Sequence, residues 1–361
     1  MKILFFYFVI LLFVVGCVSK QENSELILSF DKNSFKKTIS LSNPKIIALD
    51  DLSDPTAFFI VRDSLILIQN QAECEYLIEI YSLERKKKLG QFAKKGNGPN
   101  EFTNCFCYVD SSSSSHFYLK DGFYWNVVNI DSTLLHKKLF IERKIVLDSD
   151  IHPYSEICID SDRYLGYNRW FLDDICYNNE VEPLKWYSVV DTVNKLDYNT
   201  DRKYKYHVSL VNNSHIFMND KNKDIWLVDS QKDVINIFNN SLQLKKKIIG
   251  PDVYSVKYIE MKSGNMPIVY FADNRNYRSY SGFTKCSDYI YLIYEGINGK
   301  TFDPEHLPAV VDVFQFDWNG NPICRYSLDR YVYCISISSG YIYCATRKSV
   351  LDETQFVRYK M

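Results

Sequence analysis

The 361-residue chain carries 43 Lys and Arg against 44 Asp and Glu, a formal net charge of −1. That balance excludes the dense positive field of a nucleic-acid binder and gives no pointer to an acidic membrane surface. Hydrophobic residues make up 46% and aromatic residues 16%, ample for a packed core and far from the composition of a disordered chain.

The first element is a leader. After Lys2, Ile3 to Val15 is an unbroken apolar run of 13 residues, followed by Gly16 and Cys17. The run is shorter than the roughly 20 residues that span a bilayer, and it suits the apolar region of a secretory signal. Val14-Val15-Gly16-Cys17 resembles a bacterial lipobox, in which cleavage precedes the Cys and the Cys becomes lipidated. Residues 1–16 are therefore read as a signal peptide, 17–39 as the lipidated Cys17 and a polar tether, and 40–361 as the folded body. The expected location is the bacterial cell envelope, anchored in a membrane through the N-terminal lipid. Nine further cysteines are scattered beside aromatic and β-branched residues and read mostly as buried free thiols.

From Ser40 onward no segment keeps an apolar period of 3.6 residues. Short runs of Tyr, Ile, Val and Phe alternate with Asn, Asp, Gly and Ser, the pattern of antiparallel strands joined by turns. One unit recurs, a polar turn followed by a compact apolar strand. Its copies begin at Leu65, Phe117, Tyr164, Ile225, Tyr289 and Tyr341, with spacings of 52, 47, 61, 64 and 52 residues. A second landmark, a strand end leading into a polar turn, follows at Ile80-Tyr81-Ser82, Ile130-Asp131-Ser132, Val190-Asp191-Thr192, Phe238-Asn239-Asn240 and Phe316-Asp317-Trp318. The spacing is that of a four-stranded propeller blade. Asn319-Gly320 predicts a type I′ hairpin, which needs positive φ at both central residues. A spare strand at Pro44 to Leu49 and a last blade short of its outer strand predict closure of the ring by pairing of the two ends. The expected fold is all-β, a six-bladed β-propeller closed by N-terminal and C-terminal strands. Two β-sandwich domains would also give regular short strands, but not a six-fold recurrence.

Phe92-Ala93-Lys94-Lys95-Gly96-Asn97-Gly98-Pro99-Asn100-Glu101-Phe102 resembles the glycine- and proline-containing loop, ending in Glu-Phe, of NHL-like and TolB-like six-bladed propellers. Tyr280 through Tyr289-Ile290-Tyr291 to Gly296, and Val313 through Trp318-Asn319-Gly320-Asn321 to Asp329, resemble the TolB-like propeller lipoproteins in particular. The resemblance implies architecture and little chemistry. Asn100 stands where Gly is commoner.

No catalytic residue and no cofactor is expected. The six histidines show no metalloprotease spacing, and Cys105-Phe106-Cys107 lacks the partners of a tetrahedral metal set. Lys94, Lys95, Asn97 and Glu101 can present polar groups to an anionic or sugar ligand at the mouth of the ring, though Gly and Pro also punctuate any tight connector. Arg275, Tyr277 and Arg278 form a second polar stretch able to line a face. The expected role is a non-enzymatic scaffold for a protein or glycan ligand, with no nucleic acid. The alternatives are a metal-dependent, lactonase-like hydrolase with its site in the channel, and a structural subunit of an envelope complex.

Overall fold

The structure is a computed structural model, and it describes residues 27–361 except 104, 110–114, 122–123, 147–156, 161–162, 168–183, 189–213, 231, 253–257, 264–265, 272–277, 298–306 and 350–351. Three short strands come first: β1 (Ile27–Ser29), β2 (Lys37–Leu41) and β3 (Lys45–Ile47). Antiparallel meanders follow. The first is β4 (Pro55–Val61), β5 (Leu65–Asn70), β6 (Tyr76–Ser82) and β7 (Lys88–Lys94). The second is β8 (Phe106–Tyr108), β9 (His116–Asp121), β10 (Tyr124–Asn129) and β11 (Ile141–Val146), with helix α1 (Ile130–His136) between its last two strands. A three-stranded sheet comes next, β12 (Ile157–Asp160), β13 (Arg163–Tyr167) and β14 (Leu184–Ser188). Then come β15 (Ser214–Met218), β16 (Ile225–Asp229), β17 (Val234–Phe238) and β18 (Leu244–Ile249), and a hairpin of β19 (Tyr258–Ser263) and β20 (Met266–Phe271). The last two sheets are built on β21 (Arg278–Lys285), β22 (Tyr289–Ile297), β23 (Val311–Asp317) and β24 (Pro322–Leu328), and on β25 (Val332–Ser338), β26 (Tyr341–Thr346) and β27 (Gln355–Lys360).

This is an all-β propeller. Five sheets have four or five strands; where a sixth blade was expected, the described residues give the three strands β12–β14. The six repeat landmarks nevertheless fall at one place, the start of the second strand of each sheet: Leu65 in β5, Phe117 in β9, Tyr164 in β13, Ile225 in β16, Tyr289 in β22 and Tyr341 in β26. The signature has a physical cause. A middle strand lies between two neighbouring sheets, so both of its faces are covered and it reads as an unbroken apolar run. All five residues of β16 are buried, as are six of the seven in β23. The core accordingly lies in the seams between adjacent blades. One seam gathers Phe217, Trp226, Tyr280, Tyr294, Phe314 and Phe316; another gathers Tyr291, Val313, Val332, Ile342 and Val357.

Closure occurs as expected. β3 pairs antiparallel with β27, through Ile47 with Phe356 and Lys45 with Arg358, and completes the last blade. Residues 27–39, assigned to the tether, are instead largely part of the folded body. β1 adds in parallel to the outer edge of β18, and β2 adds in parallel to the outer edge of β24. Between them Phe30 and Phe35 insert into the seam; Phe30 meets Phe316 with ring centroids 5.3 Å apart, and Phe35 meets Phe314 at 4.7 Å. The first 21 described residues thus strap three consecutive blades from outside, β18 then β24 then β27.

Two local expectations are corrected. Ile130-Asp131-Ser132 begins α1 rather than a turn: Asn129 caps the helix by accepting from the Ser132 N–H at 2.9 Å, and Lys137 ends it in the left-handed region. At Asn319-Gly320 only Gly320 has positive φ, at 81°. The Asp317 side chain accepts from the Asn319 and Asn321 N–H groups, each at 2.9 Å, which favours a longer loop with Gly320 as its left-handed residue. The two-residue turn with both φ values positive is at Ser339-Gly340. Cys74, Cys105, Cys107, Cys286, Cys324, Cys334 and Cys344 are free thiols. Burial raises the thiol pKa of Cys105, Cys107 and Cys344 and pushes Cys334 up to about 11, so these thiols stay protonated and pack as small hydrophobes.

Candidate binding face

In an antiparallel meander the start of the first strand, the second-to-third connection and the end of the fourth strand share one end of the sheet. Contacts across the seams join these ends into a continuous face, called here the upper face. The Ser279 N–H donates to Ser230 O at 2.8 Å, the Tyr331 hydroxyl donates to Glu295 Oε1 at 3.0 Å, and the Tyr333 hydroxyl donates to Pro55 O at 3.3 Å.

The expected ligand residues that are described lie on this face. Lys94 ends β7 and is exposed; Lys95 is exposed and bridges to Phe102, and Asn97 is exposed on the loop tip. Glu101 faces inward. Its Oε2 accepts from the Gly98 N–H at 2.9 Å, and its Oε1 lies 4.0 Å from Lys94 Nζ. Gly96, with φ at +157°, leaves the room the carboxylate needs, since a Cβ there would sit 1.9 Å from Glu101 Oε2. Asn100 takes φ of 65°, the left-handed geometry that explains why Gly is commoner at its position. Phe102 then enters the seam between the first two sheets. Arg278 opens β21, with its NH1 3.8 Å from the fully buried Glu295 carboxylate. Arg275 and Tyr277 lie outside the described residues. Nothing in the geometry brings Arg278 to the Lys94–Glu101 loop.

Sequence reasoning missed two upper-face features. The first is a cleft of about 590 Å³ where the last two large sheets meet, lined by Pro308, Arg330, Tyr331, Arg347, Lys348 and Glu353 among others. Its floor is rigid. The Arg347 guanidinium stacks 4.5 Å from the Tyr333 ring centroid and donates to Thr354 Oγ1 at 3.2 Å. Asp329 accepts from the Tyr359 hydroxyl at 2.6 Å and from the Asn43 N–H at 2.8 Å. Burial works against that carboxylate, but Tyr359, Asn43 and Arg330 outweigh it and hold its pKa below the usual value. Lys348 and Glu353 are exposed at the rim. The available signal was the polar stretch between Thr346 and Gln355, which is longer than a tight turn needs.

The second feature is a pair of carboxylates on one blade, Asp233 and Asp252, that meet a tyrosine from the neighbouring blade. Asp233, between β16 and β17, is fully buried. Its Oδ2 accepts from the Asp252 N–H at 2.8 Å and from the Tyr294 hydroxyl at 3.1 Å. Asp252 Oδ2 meets the same Tyr294 hydroxyl. The single phenolic proton of Tyr294 can be donated to only one of the two carboxylates at a time. Burial pushes Asp233 up to about 6, helped by the Asp252 charge and opposed by hydrogen bonds from Asp252 N, Tyr280 and Tyr294. Among the described residues no three His, Cys, Asp or Glu side chains gather to hold a metal.

A family model described as TolB-like 6-blade propeller-like matches residues 34–340. The chain belongs to this TolB-like family. No curated protein sequence matches it. Among solved structures, a member of the DUF4221 family from Bacteroides vulgatus is similar at 13% identity and a TM-score of 0.54, covering 89% of this chain and 96% of that one. Regucalcin from Agrobacterium tumefaciens, a calcium-binding protein, is similar at 12% identity and a TM-score of 0.42, covering 90% and 96%. A luciferin-regenerating enzyme follows at 8% and 0.44, covering 88% and 96%. The DUF4221 likeness carries the fold alone, and the other two carry no argument about this TolB-like chain.

Proposed function

We propose that this TolB-like protein is a six-bladed, lipid-anchored envelope protein that binds a glycan in the upper-face cleft without acting on it chemically. The six-blade reading is supported by Tyr164 at the repeat position in β13 and by β12 packing beside β15, as first strands of adjacent blades do. The binding reading rests on the cleft lining. Arg330, Arg347, Asp352 and Glu353 offer paired donors and acceptors on a rigid floor, a geometry that suits neighbouring hydroxyls of a sugar ring. Localisation and anchoring are carried by the order of Lys2, the apolar run and Cys17.

The test is titration of the full-length chain in detergent with a panel of neutral and acidic oligosaccharides, followed by calorimetry. Binding by the parent that weakens at least about tenfold in Glu353→Gln and Lys348→Ala supports the cleft, as expected when a buried sugar hydroxyl loses its partner. No binding by any oligosaccharide, or binding indifferent to both substitutions, refutes it.

A further inference from the structure

The opposite, lower face carries the first-to-second and third-to-fourth connections, and its charge is unevenly spread. On the first two blades, the turn after β6 holds Arg85, Lys86 and Lys87, with Arg85 and Lys87 exposed. The turn after α1 holds Lys137 and Lys138, both exposed. These turns are neighbours, since Lys137 Nζ donates to Leu89 O at 3.3 Å, two residues beyond Lys87. Their acidic neighbours are few. Asp131 is taken by a two-pronged ion pair with Arg62, at 2.7 and 2.8 Å, and Glu142 meets His116; Glu84 flanks Arg85, and Asp50 lies against Lys86, donating its N–H to Lys86 O at 3.4 Å. Beside the cations stand two exposed apolar side chains, Leu135 at 76% and Phe140 at 37% exposure. Five cations around a Leu and a Phe on a convex turn pair is the chemistry of an anionic lipid surface. The net charge of −1 gives no sign of it, because a net charge carries no information on position.

A second observation points to the same face. β1 runs parallel to β18, which rises from the lower face to the upper, so the N-terminal end of β1 points down. Cys17 lies ten residues before Ile27, and that length of chain reaches at most about 35 Å. Ile27 at 56% and Leu244 at 44% exposure add apolar surface along this edge. A lipid on Cys17 would therefore hold the lower face within a short distance of the bilayer.

We infer that the protein rests on an anionic membrane through its lower face, with Leu135 and Phe140 in the headgroup region and Arg85, Lys86, Lys87, Lys137 and Lys138 against the phosphates. The upper-face cleft then points away from the membrane. The short reach depends on the lipidation of Cys17; the basic and apolar patch does not.

The test places the full-length chain in vesicles of phosphatidylcholine alone or with about one quarter phosphatidylglycerol, and reads amide hydrogen exchange by peptide. Residues 84–88 and 135–140 should gain protection only with phosphatidylglycerol, and should lose it in raised salt. The variant Lys86→Gln/Lys87→Gln/Lys137→Gln/Lys138→Gln should lose it as well, at about fivefold per lysine. Unchanged exchange on the lower face, or equal protection of residues 346–355 on the upper face, overturns the orientation. The mass of the Cys17 peptide reports lipidation separately, so failure of the anchor and failure of the docking face are told apart.

Discussion

The buried carboxylate Asp233 makes a quantitative prediction about stability and pH. In the unfolded chain it titrates near 3.8, whereas burial in the seam beside Tyr280 and Tyr294 lifts it to about 6 in the folded protein. The folded state thus holds this proton more tightly than the unfolded chain, and Asp233 favours folding in acid. As pH rises from about 4 to about 6 the unfolded state ionises first, and that advantage is lost. A shift of about two units corresponds to ~3 kcal/mol, reduced where water or relaxation eases the burial. The neighbouring Asp252 carboxylate meets the same Tyr294 hydroxyl, and its charge adds to the rise at Asp233. The assay is urea unfolding of the full chain and of Asp233→Asn at half-unit steps from pH 4 to 8. The variant should gain on the parent by ~1–3 kcal/mol across the window and run parallel to it above pH 7. A difference that stays flat from pH 4 to 8 would show that burial does not raise Asp233 above its unfolded value, and would refute the reasoning.

Three further substitutions probe the frame around the faces. Phe30→Ala removes a buried ring that meets Phe35, Phe314 and Phe316, and should cost ~3–5 kcal/mol by denaturant unfolding, with earlier proteolysis of residues 27–41. Gly96→Ala places a Cβ 1.9 Å from Glu101 Oε2 and should displace that carboxylate from the Gly98 N–H, at ~1–3 kcal/mol. Gly98→Ala, whose nearest contact would be 3.0 Å, should cost less in the same assay.

The architecture was legible because propeller packing writes itself locally. The middle strands are covered on both faces, so Ile225-Trp226-Leu227-Val228 and its counterparts stand out as short unbroken runs between polar turns. The closing strand was legible too, as a spare apolar segment at residues 44–49 with a last blade one strand short. The strap was not. Ile27-Leu28-Ser29 and Lys37 to Leu41 are short, mixed in polarity and exposed on one side, and their partners β18 and β24 lie more than 200 residues away. Helix α1 escaped for a similar reason, because seven residues give barely two turns of periodicity and the Asn129 cap resembles any polar turn. Both binding features depend on convergence. Arg330, Arg347 and Glu353 come from two separate connections, and Lys137 reaches the backbone near Lys87, at Leu89 O, only after two blades stack. The Glu101 carboxylate closes its loop on the Gly98 N–H, a contact set by the local path of the chain rather than by composition.

The strap also sets the order in which the molecule can finish folding. Its three strands emerge from the ribosome well before their partners, for every edge they dock on belongs to residues 244–360. Until those edges exist, Phe30 and Phe35 have no seam to enter, and the earlier blades must hold together with an open ring. Completion is therefore a late, long-range event with a large loop to close, which slows assembly relative to the quick formation of each hairpin. The final step is then the rear blades swinging back to the strap, so that the last part made locks an early part in place.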